Sequence, residues 1–299
     1  MPLNKSWHDY NESLIERGHI LMDMNFLKSC NKEIKRMNDG KVGAPFEYSH
    51  TYIQFIAFLK IGFKIAYQTV QGIVRGLSDY IRIEEMHFTQ IRRRIQKIKP
   101  SMDNLNLDDD DDDDDKLITL IVDASGLTIT KKGDYIEQKW IRKKKEFINL
   151  HIAVDAKSEI ISFRITKGNV HDSKKLGPMI KEACKEYDVD KVYGDKAHDN
   201  RKSFNLLDDL NIEPAISIRK NASAEVSGCP LRRDEVLLIR KLGYDGWKQL
   251  KDAGRRWIAE VIFSSIKRVL GEDLLSKKFG AQKVEAGLKV ILYNKFMSL

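Results

Sequence analysis

Apolar residues recur every three or four positions through the first hundred residues, which is the spacing of amphipathic helices. The pattern predicts helices over Ser49–Lys60, Tyr67–Tyr80 and Thr89–Lys99. Thr89 suits an N-cap, and Pro100 follows the end of the third helix. Residues 1–104 are therefore interpreted as a helical N-terminal region.

Basic side chains concentrate on the third of these helices, at Arg92, Arg93, Arg94 and Lys97. Two short helices followed by a basic one suit a small helix-turn-helix-like unit that binds DNA. A small helical bundle with a basic surface has the same pattern. The spacing alone does not choose between the two.

The pattern changes after residue 116. A continuous run of apolar, branched residues at Leu117–Val122 is typical of a strand that is buried on both faces. Further strands are predicted over Phe147–Val154, Glu159–Ile165, Val189–Gly194 and Pro214–Ile218. Helices are predicted over Ser173–Tyr187, Lys202–Leu210, Arg255–Leu270 and Ala281–Phe296. Residues 117–299 are therefore interpreted as one α/β domain, a mixed sheet flanked by helices.

Eight consecutive aspartates, Asp108–Asp115, separate the two regions. Such a run repels itself and cannot be buried, so residues 105–116 are interpreted as an acidic linker. The whole chain has 52 Lys and Arg against 44 Asp and Glu, a net charge of +8. Without these eight acids the net charge would be +16, which favours a polyanionic partner such as nucleic acid over a merely solubilising surface.

Several classes of protein are excluded. The longest apolar stretch, Thr51–Ala66, is interrupted by Lys60 and Lys64 and is too short and too charged to cross a bilayer. No secretory signal opens the chain, so we expect a cytoplasmic protein without a membrane partner. The cysteines at positions 30, 184 and 229 lie far apart, which excludes a disulfide framework and a cysteine-rich zinc site.

Two aspartates follow predicted strands directly. Asp123 comes after Leu117–Val122, and Asp195 comes after Val189–Gly194. Ligands of α/β proteins bind at the carboxyl ends of the strands, so both are candidate site residues. The alternative is that each aspartate merely caps the following turn.

A third acid, Glu260, lies on the predicted helix Arg255–Leu270. At 100° per residue, Glu260 lies about 40° and Lys267 about 20° from Arg256, so the three form one polar stripe. An Arg–Glu pair on a solvated face is the simpler reading. The rest of the helix is so apolar that we expect it to be largely buried, and the stripe would then need a metal ion and phosphates as partners.

Two aspartates and a glutamate suit a hard divalent cation such as Mg²⁺. Two such ions can activate a water or a 3′-hydroxyl and stabilise the leaving oxygen of a phosphodiester. His151, His171 and His198 are scattered without the spacing of a zinc site. His198 is interpreted as a turn residue near Asp195.

Three acidic blocks, in this order, resemble the DDE transposases of prokaryotic insertion sequences, in the fourth/fifth insertion-sequence branch. They are Ile121-Val-Asp-Ala-Ser-Gly-Leu127, Val192-Tyr-Gly-Asp-Lys-Ala-His-Asp199 and Arg255-Arg-Trp-Ile-Ala-Glu-Val-Ile-Phe-Ser-Ser-Ile-Lys267. The last matches the family signature Tyr-x₂-Arg-x₃-Glu-x₆-Lys at Arg256, Glu260 and Lys267. The segments Gly168–Asp172 and Ile218–Ala222 are also similar to the family.

The resemblance implies a ribonuclease H-like catalytic domain in which Asp123, Asp195 and Glu260 are the catalytic, metal-binding triad. The cofactor would be two Mg²⁺ ions, or Mn²⁺. Arg256 and Lys267 would hold DNA phosphates, and the N-terminal helices would recognise terminal inverted repeats. The reaction would be nicking at transposon ends followed by attack of the 3′-hydroxyl on target DNA, by a nucleoid-associated homodimer.

The sequence departs from the family pattern at two positions. Ala253 stands where the signature has tyrosine, and His198 stands where a tyrosine often follows the second aspartate. Two other functions therefore stay open: a DNA-binding protein that has lost catalysis, and a metal-dependent nuclease of the same fold that cuts without joining.

Overall fold

A computed structural model of the chain describes residues 6–102, 117–129 and 146–298. The acidic run Asp108–Asp115 and the predicted linker 105–116 lie outside these ranges. The helices are α1 (Trp7–Leu21), α2 (Phe26–Asn38), α3 (His50–Gly62), α4 (Tyr67–Ser78), α5 (Phe88–Ile95), α6 (Ser173–Ala183), α7 (Arg201–Asp209), α8 (Pro230–Leu250), α9 (Trp257–Leu270) and α10 (Phe279–Met297). The strands are β1 (Leu117–Ile129), β2 (Phe147–Val154), β3 (Ile160–Lys167), β4 (Asp188–Gly194), β5 (Glu213–Ile216) and β6 (Asp273–Leu274).

The chain divides into two compact units, and α10 belongs to the first. The described residues of that unit are 6–102, 269–271 and 278–298. The domain boundaries drawn from the sequence assigned α10 to the α/β part instead. The difference has a physical cause: α10 is buried along most of its length and packs on α1 and α3. Its Lys289 Nζ also donates a 2.6 Å hydrogen bond to the Gly271 carbonyl.

Helix α3 is the centre of the first unit. Ile56, Ala57 and Leu59 are fully buried, and α3 packs against α1, α2, α4, α5 and α10. The three helices of the predicted helix-turn-helix-like unit therefore sit inside a larger helical bundle. The third begins one residue earlier than predicted, with His87 rather than Thr89 as its N-cap, but it is shorter overall because it ends at Ile95.

The second unit is built on a mixed sheet with strand order β3-β2-β1-β4-β5. Strands β1, β2 and β3 are antiparallel, whereas β1, β4 and β5 are parallel, and β6 pairs with the far end of β1. Helices flank the sheet. This arrangement confirms the predicted ribonuclease H-like α/β fold class.

Side chains of β1 alternate between the two faces of the sheet. Leu120 and Val122 belong to a buried core with side chains of α6 and α7, including Leu176 and Phe204. Asp123 is an odd number of residues away from Leu120 and Val122, so its side chain lies on the opposite face of the sheet. The core of the second unit therefore orients the acidic face of β1.

Strand β1 is seven residues longer than predicted. The sequence indicated an end at Val122, but pairing with β2 continues through Asp123, Ser125 and Gly126 to Thr128, opposite Phe147. Because backbone pairing with β2 does not depend on apolar side chains, the polar residues stay in the strand. Asp123 thus lies inside β1 rather than at its end.

Helices α6 and α8 also differ from the sequence prediction. Helix α6 begins at Ser173 as predicted but ends at Ala183 rather than at Tyr187. Helix α8 was not predicted, because Gly243 and Gly246 interrupt its pattern and Gly243 kinks it with φ 72°.

No helix in the described ranges combines the length and apolar character needed to span a membrane.

Candidate active site

Asp123 lies in β1, and Asp195 directly follows the neighbouring parallel strand β4. The last paired residues of β1 and β4 are Ile121 and Tyr193, and each aspartate follows two positions later. Neighbouring strands lie about 4.8 Å apart, and residues two positions apart share a face. The register therefore brings Asp123 and Asp195 to the same end of the two neighbouring strands, just past the point where β1 loses β4 as its partner.

Each aspartate also makes a local hydrogen bond, as the capping interpretation proposed. Asp195 Oδ1 accepts from the Ala197 amide at 2.9 Å and caps the short 3-10 turn Lys196–His198. Asp123 Oδ1 accepts from the Ala124 amide at 2.8 Å. A carboxylate has two oxygens, so a local bond to Oδ1 leaves Oδ2 for a further ligand. Capping and ligand binding are thus compatible here.

Glu260 lies in the first turn of α9 and is exposed. The expectation that this helix is largely buried was wrong. Its packed side carries Ile258, Ala259 and Ile266, while Trp257 is 52% exposed. The helix also begins two residues later than predicted, since Ala253–Arg256 forms a 3-10 turn after Asp252, whose φ is 53°.

The polar stripe runs along the edge of the packed side of α9. Arg256 and Lys267 are half-buried there, and Glu260 is the most open member. Lys267 Nζ donates a 2.9 Å hydrogen bond to Ser125 Oγ on β1. Because Ser125 is two residues from Asp123 on the same face, this bond ties α9 to the acidic face of the sheet.

One cleft of about 610 Å³ brings the predicted site residues of β1 and α9 together. Asp123 and Ser125 line it from the strand, and Glu260 and Lys267 line it from the helix. Asp195 is not among the residues that line this cleft. Among the described residues, no three His, Cys, Asp or Glu side chains lie close enough together to hold a metal ion as they stand.

The pKa of Asp123 responds to the charges of Asp195, Glu260 and Arg256. Burial raises the pKa of the Asp123 carboxyl, and the negative charges of Asp195 and Glu260 raise it further. The Ala124 amide and the Arg256 guanidinium oppose this rise in the pKa. The carboxylates are therefore near enough to repel one another, and Arg256 is near enough to offset part of that repulsion.

The histidines have structural contacts. His151 Nε2 lies 2.9 Å from Thr166 Oγ1 on β3, and burial lowers the His151 pKa to about 4. His198 is buried in the turn after Asp195, with its Nε2 3.8 Å from Asp195 Oδ1. Burial also lowers the His198 pKa. The interpretation of His198 as a turn residue is confirmed by its place in the 3-10 turn.

The predicted N-terminal DNA contacts belong to the other unit. Arg92 and Arg93 on α5 are exposed, and Lys97 lies past the end of that helix. Arg94 stacks over the Tyr48 ring at 4.5 Å from its centroid. Arg93, Arg94 and Lys97 line a cavity of about 660 Å³ within the first unit. Their role in binding DNA stays a prediction.

Sequence reasoning missed two contributors near the carboxylates. Ser125 could have been found, because its two-residue spacing from Asp123 places it on the same strand face. Arg232 on α8 forms an ion pair with Asp199, at 2.6 Å between Arg232 Nε and Asp199 Oδ1. These residues are 33 positions apart, and no local pattern signals the pair.

The family described as "Transposase DDE domain" matches residues 115–295, which is more than half of the chain. A second family with the same description matches residues 15–132. The chain belongs to the DDE transposases. It is thus an enzyme of DNA transposition, and its partner is DNA.

Solved transposase structures align along most of this transposase at low identity. A piggyBac transposase synaptic complex with hairpin DNA is 9% identical, with a TM-score of 0.41, over 95% of this chain and 74% of that one. The Drosophila P element transposase strand transfer complex is 14% identical, with a TM-score of 0.36, over 91% and 70%. The Mos1 mariner paired-end complex with Mn is 13% identical, with a TM-score of 0.24, over 98% and 93%.

Proposed function

We propose that this transposase uses Asp123, Asp195 and Glu260 to bind divalent metal ions, cuts DNA at transposon ends and joins the freed 3′-hydroxyl to target DNA. The observation that best supports the proposal is the cleft that Asp123 on β1 lines together with Glu260 on α9, with Asp195 following the neighbouring parallel strand β4. The family membership supplies the reaction class.

The donor set fits a hard divalent cation. Carboxylate oxygens are the ligands that Mg²⁺ and Mn²⁺ take in such sites, and the shared negative charge raises the pKa of Asp123. A cation bound there would relieve that repulsion. Glu260 is exposed, so its carboxylate can move without displacing a packed group. When bound, two such ions supply a metal-activated nucleophile and stabilise the leaving oxygen.

The cations of the site are proposed to bind the phosphates of the cleaved strand. Lys267 and Arg256 flank Glu260 on the stripe, and Lys267 lines the cleft. Arginine and lysine are the usual phosphate contacts in protein–DNA complexes. Bound there, the DNA backbone would be held against the three carboxylates.

Recognition of the transposon end is assigned to the first unit. The exposed cations Arg92, Arg93 and Lys97, with Arg94 beside Tyr48, supply positive charge for backbone contacts. Transposition acts on two ends, so we expect a homodimer in the active complex. Mg²⁺ is the expected metal, with two ions per site.

The test is a joining reaction with purified protein, Mg²⁺, a target plasmid and a donor plasmid that carries the DNA flanking this coding sequence. Sequenced junctions between a flanking end and the target should appear with wild type. They should disappear with Glu260→Gln. Glu186→Gln is the matched control, because Glu186 is exposed and outside the cleft, and it should give wild-type junctions.

Each failure has a distinct meaning. Cleaved donor ends without junctions would replace the proposal with a nuclease of the same fold. Retention of DNA without cleavage would replace it with a DNA-binding protein that has lost catalysis, and Ala253→Tyr would then be the first reversion to make.

A further inference from the structure

A fully buried carboxylate, Asp199, lies four residues after Asp195 and has no part in the proposed chemistry. Arg232 donates to it twice, from Nε to Oδ1 at 2.6 Å and from Nη2 to Oδ2 at 3.3 Å. The Arg219 amide donates to Oδ2 at 3.0 Å. Both oxygens are thus bound by protein groups, and Asp199 is not a candidate metal ligand.

These contacts converge on the turn that carries Asp195. Asp199 is the C-cap of the 3-10 turn Lys196–His198, and Asp195 is its N-cap. The Lys196 carbonyl accepts from Arg219 Nε at 3.2 Å. The turn is therefore fastened at its far end to α8, through Arg232, and to the segment after β5, through Arg219.

The near end of the turn is held by packing. His198 lies so close to Gly194 that a Cβ there would come within 3.4 Å of its ring and 3.3 Å of Ile216. Gly194 directly precedes Asp195. Between these two fixed ends, the backbone that presents the Asp195 carboxylate has little freedom.

Stability alone does not account for a buried ion pair at this place. Desolvating two charges costs about as much as their attraction returns, and apolar residues of equal volume often stabilise as well. A two-point contact between arginine and a carboxylate instead fixes the orientation of the carboxylate, because two N–H donors of the guanidinium bind its two oxygens in one plane. The Asp199–Arg232 pair lies at the end of the turn that begins with the proposed metal ligand Asp195. A fixed orientation of this turn would fix the orientation of the Asp195 carboxylate.

We propose that Asp199 and Arg232 are positioning residues that set the direction of the Asp195 carboxylate toward its metal ion. The proposal rests on the proposed function, in which Asp195 is a ligand. Groups that orient metal ligands typically change metal affinity by about 10- to 100-fold when removed.

The test is Mn²⁺ binding to the full-length protein without DNA, followed by the electron paramagnetic resonance signal of free Mn²⁺. Asp199→Asn keeps the size of the side chain and an acceptor for Arg219 but removes the charge that pairs with Arg232. It should raise the dissociation constant for Mn²⁺ about 10-fold. Arg232→Lys keeps the charge and should recover part of the affinity that Arg232→Met loses.

Leu176→Ala is the matched structural control. Leu176 is fully buried in the core on α6 and makes none of the hydrogen bonds between Asp199, Arg232 and Arg219, so its truncation lowers stability while those bonds stay in place. At a temperature below every melting transition, it should bind Mn²⁺ as wild type does. An equal loss of Mn²⁺ affinity in Leu176→Ala and Asp199→Asn would overturn the positioning role.

The Asp195→Asn variant separates the two proposals. If Asp195→Asn loses Mn²⁺ binding while Asp199→Asn and Arg232→Met keep it, the positioning role is wrong and the metal site stands. If Asp195→Asn binds Mn²⁺ as wild type does, the metal role of Asp195 fails and the positioning role fails with it.

Discussion

The Lys267 ammonium group donates a 2.9 Å hydrogen bond to the Ser125 hydroxyl, and this bond fastens α9 to β1 two residues from Asp123. One side chain thus connects the helix that carries Glu260 to the strand that carries Asp123. The same ammonium group lines the cleft, where a DNA phosphate would compete with Ser125 for it.

Lys267→Ala should weaken binding to a pre-nicked DNA end while leaving Mg²⁺ binding unchanged, because the lost cation contacts phosphate rather than metal. We expect weaker binding to every DNA sequence and a decrease of about one in the salt dependence of binding. Ser125→Ala is the matched control, since it removes the hydrogen bond but keeps the cation, and it should bind the end as wild type does. Equal losses of DNA and Mg²⁺ affinity in Lys267→Ala would contradict a phosphate role.

Asp123→Asn should stabilise the metal-free protein at neutral pH while it abolishes cleavage. Burial raises the folded-state pKa of Asp123, so the ionised carboxylate costs stability at every pH above that raised value. The gain in melting temperature should shrink as the pH falls through the raised pKa and vanish below the ordinary value of 3.8. Adding Mg²⁺ should raise the melting temperature of wild type but not of Asp123→Asn. A variant that is less stable than wild type at pH 7 would show that Asp123 is a stabilising group.

Glu235→Gln should destabilise the second unit by about 1–3 kcal/mol, because the buried Lys251 loses a charge partner. Lys251 Nζ lies 2.7 Å from Glu235 Oε1, and Trp247 Nε1 donates to Glu235 Oε2 at 2.8 Å. Burial lowers the pKa of Lys251, but its bonds to Glu235 and Glu213 outweigh burial and raise it. This stabilisation is present at neutral pH and is lost as the pH rises through the raised pKa.

The comparison for Glu235→Gln is an exposed ion pair, Arg75–Glu85, at 2.8 Å. Glu85→Gln should cost much less stability than Glu235→Gln, because solvent screens an exposed ion pair. Urea unfolding followed by tryptophan fluorescence measures both variants. Equal shifts of the unfolding midpoint would show that burial of the Lys251 network adds nothing.

Deleting Asp108–Asp115 should leave the melting temperature within about 2 °C of wild type, since a run of like charges contributes no core contacts. Calorimetry of the deletion variant beside the full chain measures this. A large decrease would show that the interpretation of this segment as a linker is wrong.

The sheet could be predicted from the sequence because its signals are local. β2 was predicted with its observed bounds, and Asp195 was placed directly after β4, since apolar runs and turn residues mark these limits. The length of β1 could not be predicted. The half of β1 from Asp123 onward stays in the strand because its backbone pairs with β2. The pattern of apolar residues along β1 does not show that this pairing partner exists.

The environment of Glu260 also depended on distant packing. The sequence placed Arg256, Glu260 and Lys267 on one stripe, and the structure puts that stripe at the edge of the packed side of α9. Which part of an apolar helix is covered depends on what packs against it, so the exposure of Trp257 could not be predicted. For the same reason the sequence prediction put α10 in the α/β domain, whereas α10 belongs to the helical unit.

The most direct test of the central claim is nicking of a supercoiled plasmid by the purified protein in Mg²⁺. Wild type should convert supercoiled DNA to the nicked form, and either a chelator or Glu260→Gln should abolish the conversion. Nicking that persists in Glu260→Gln or in chelator would contradict a metal-dependent site built on Asp123, Asp195 and Glu260.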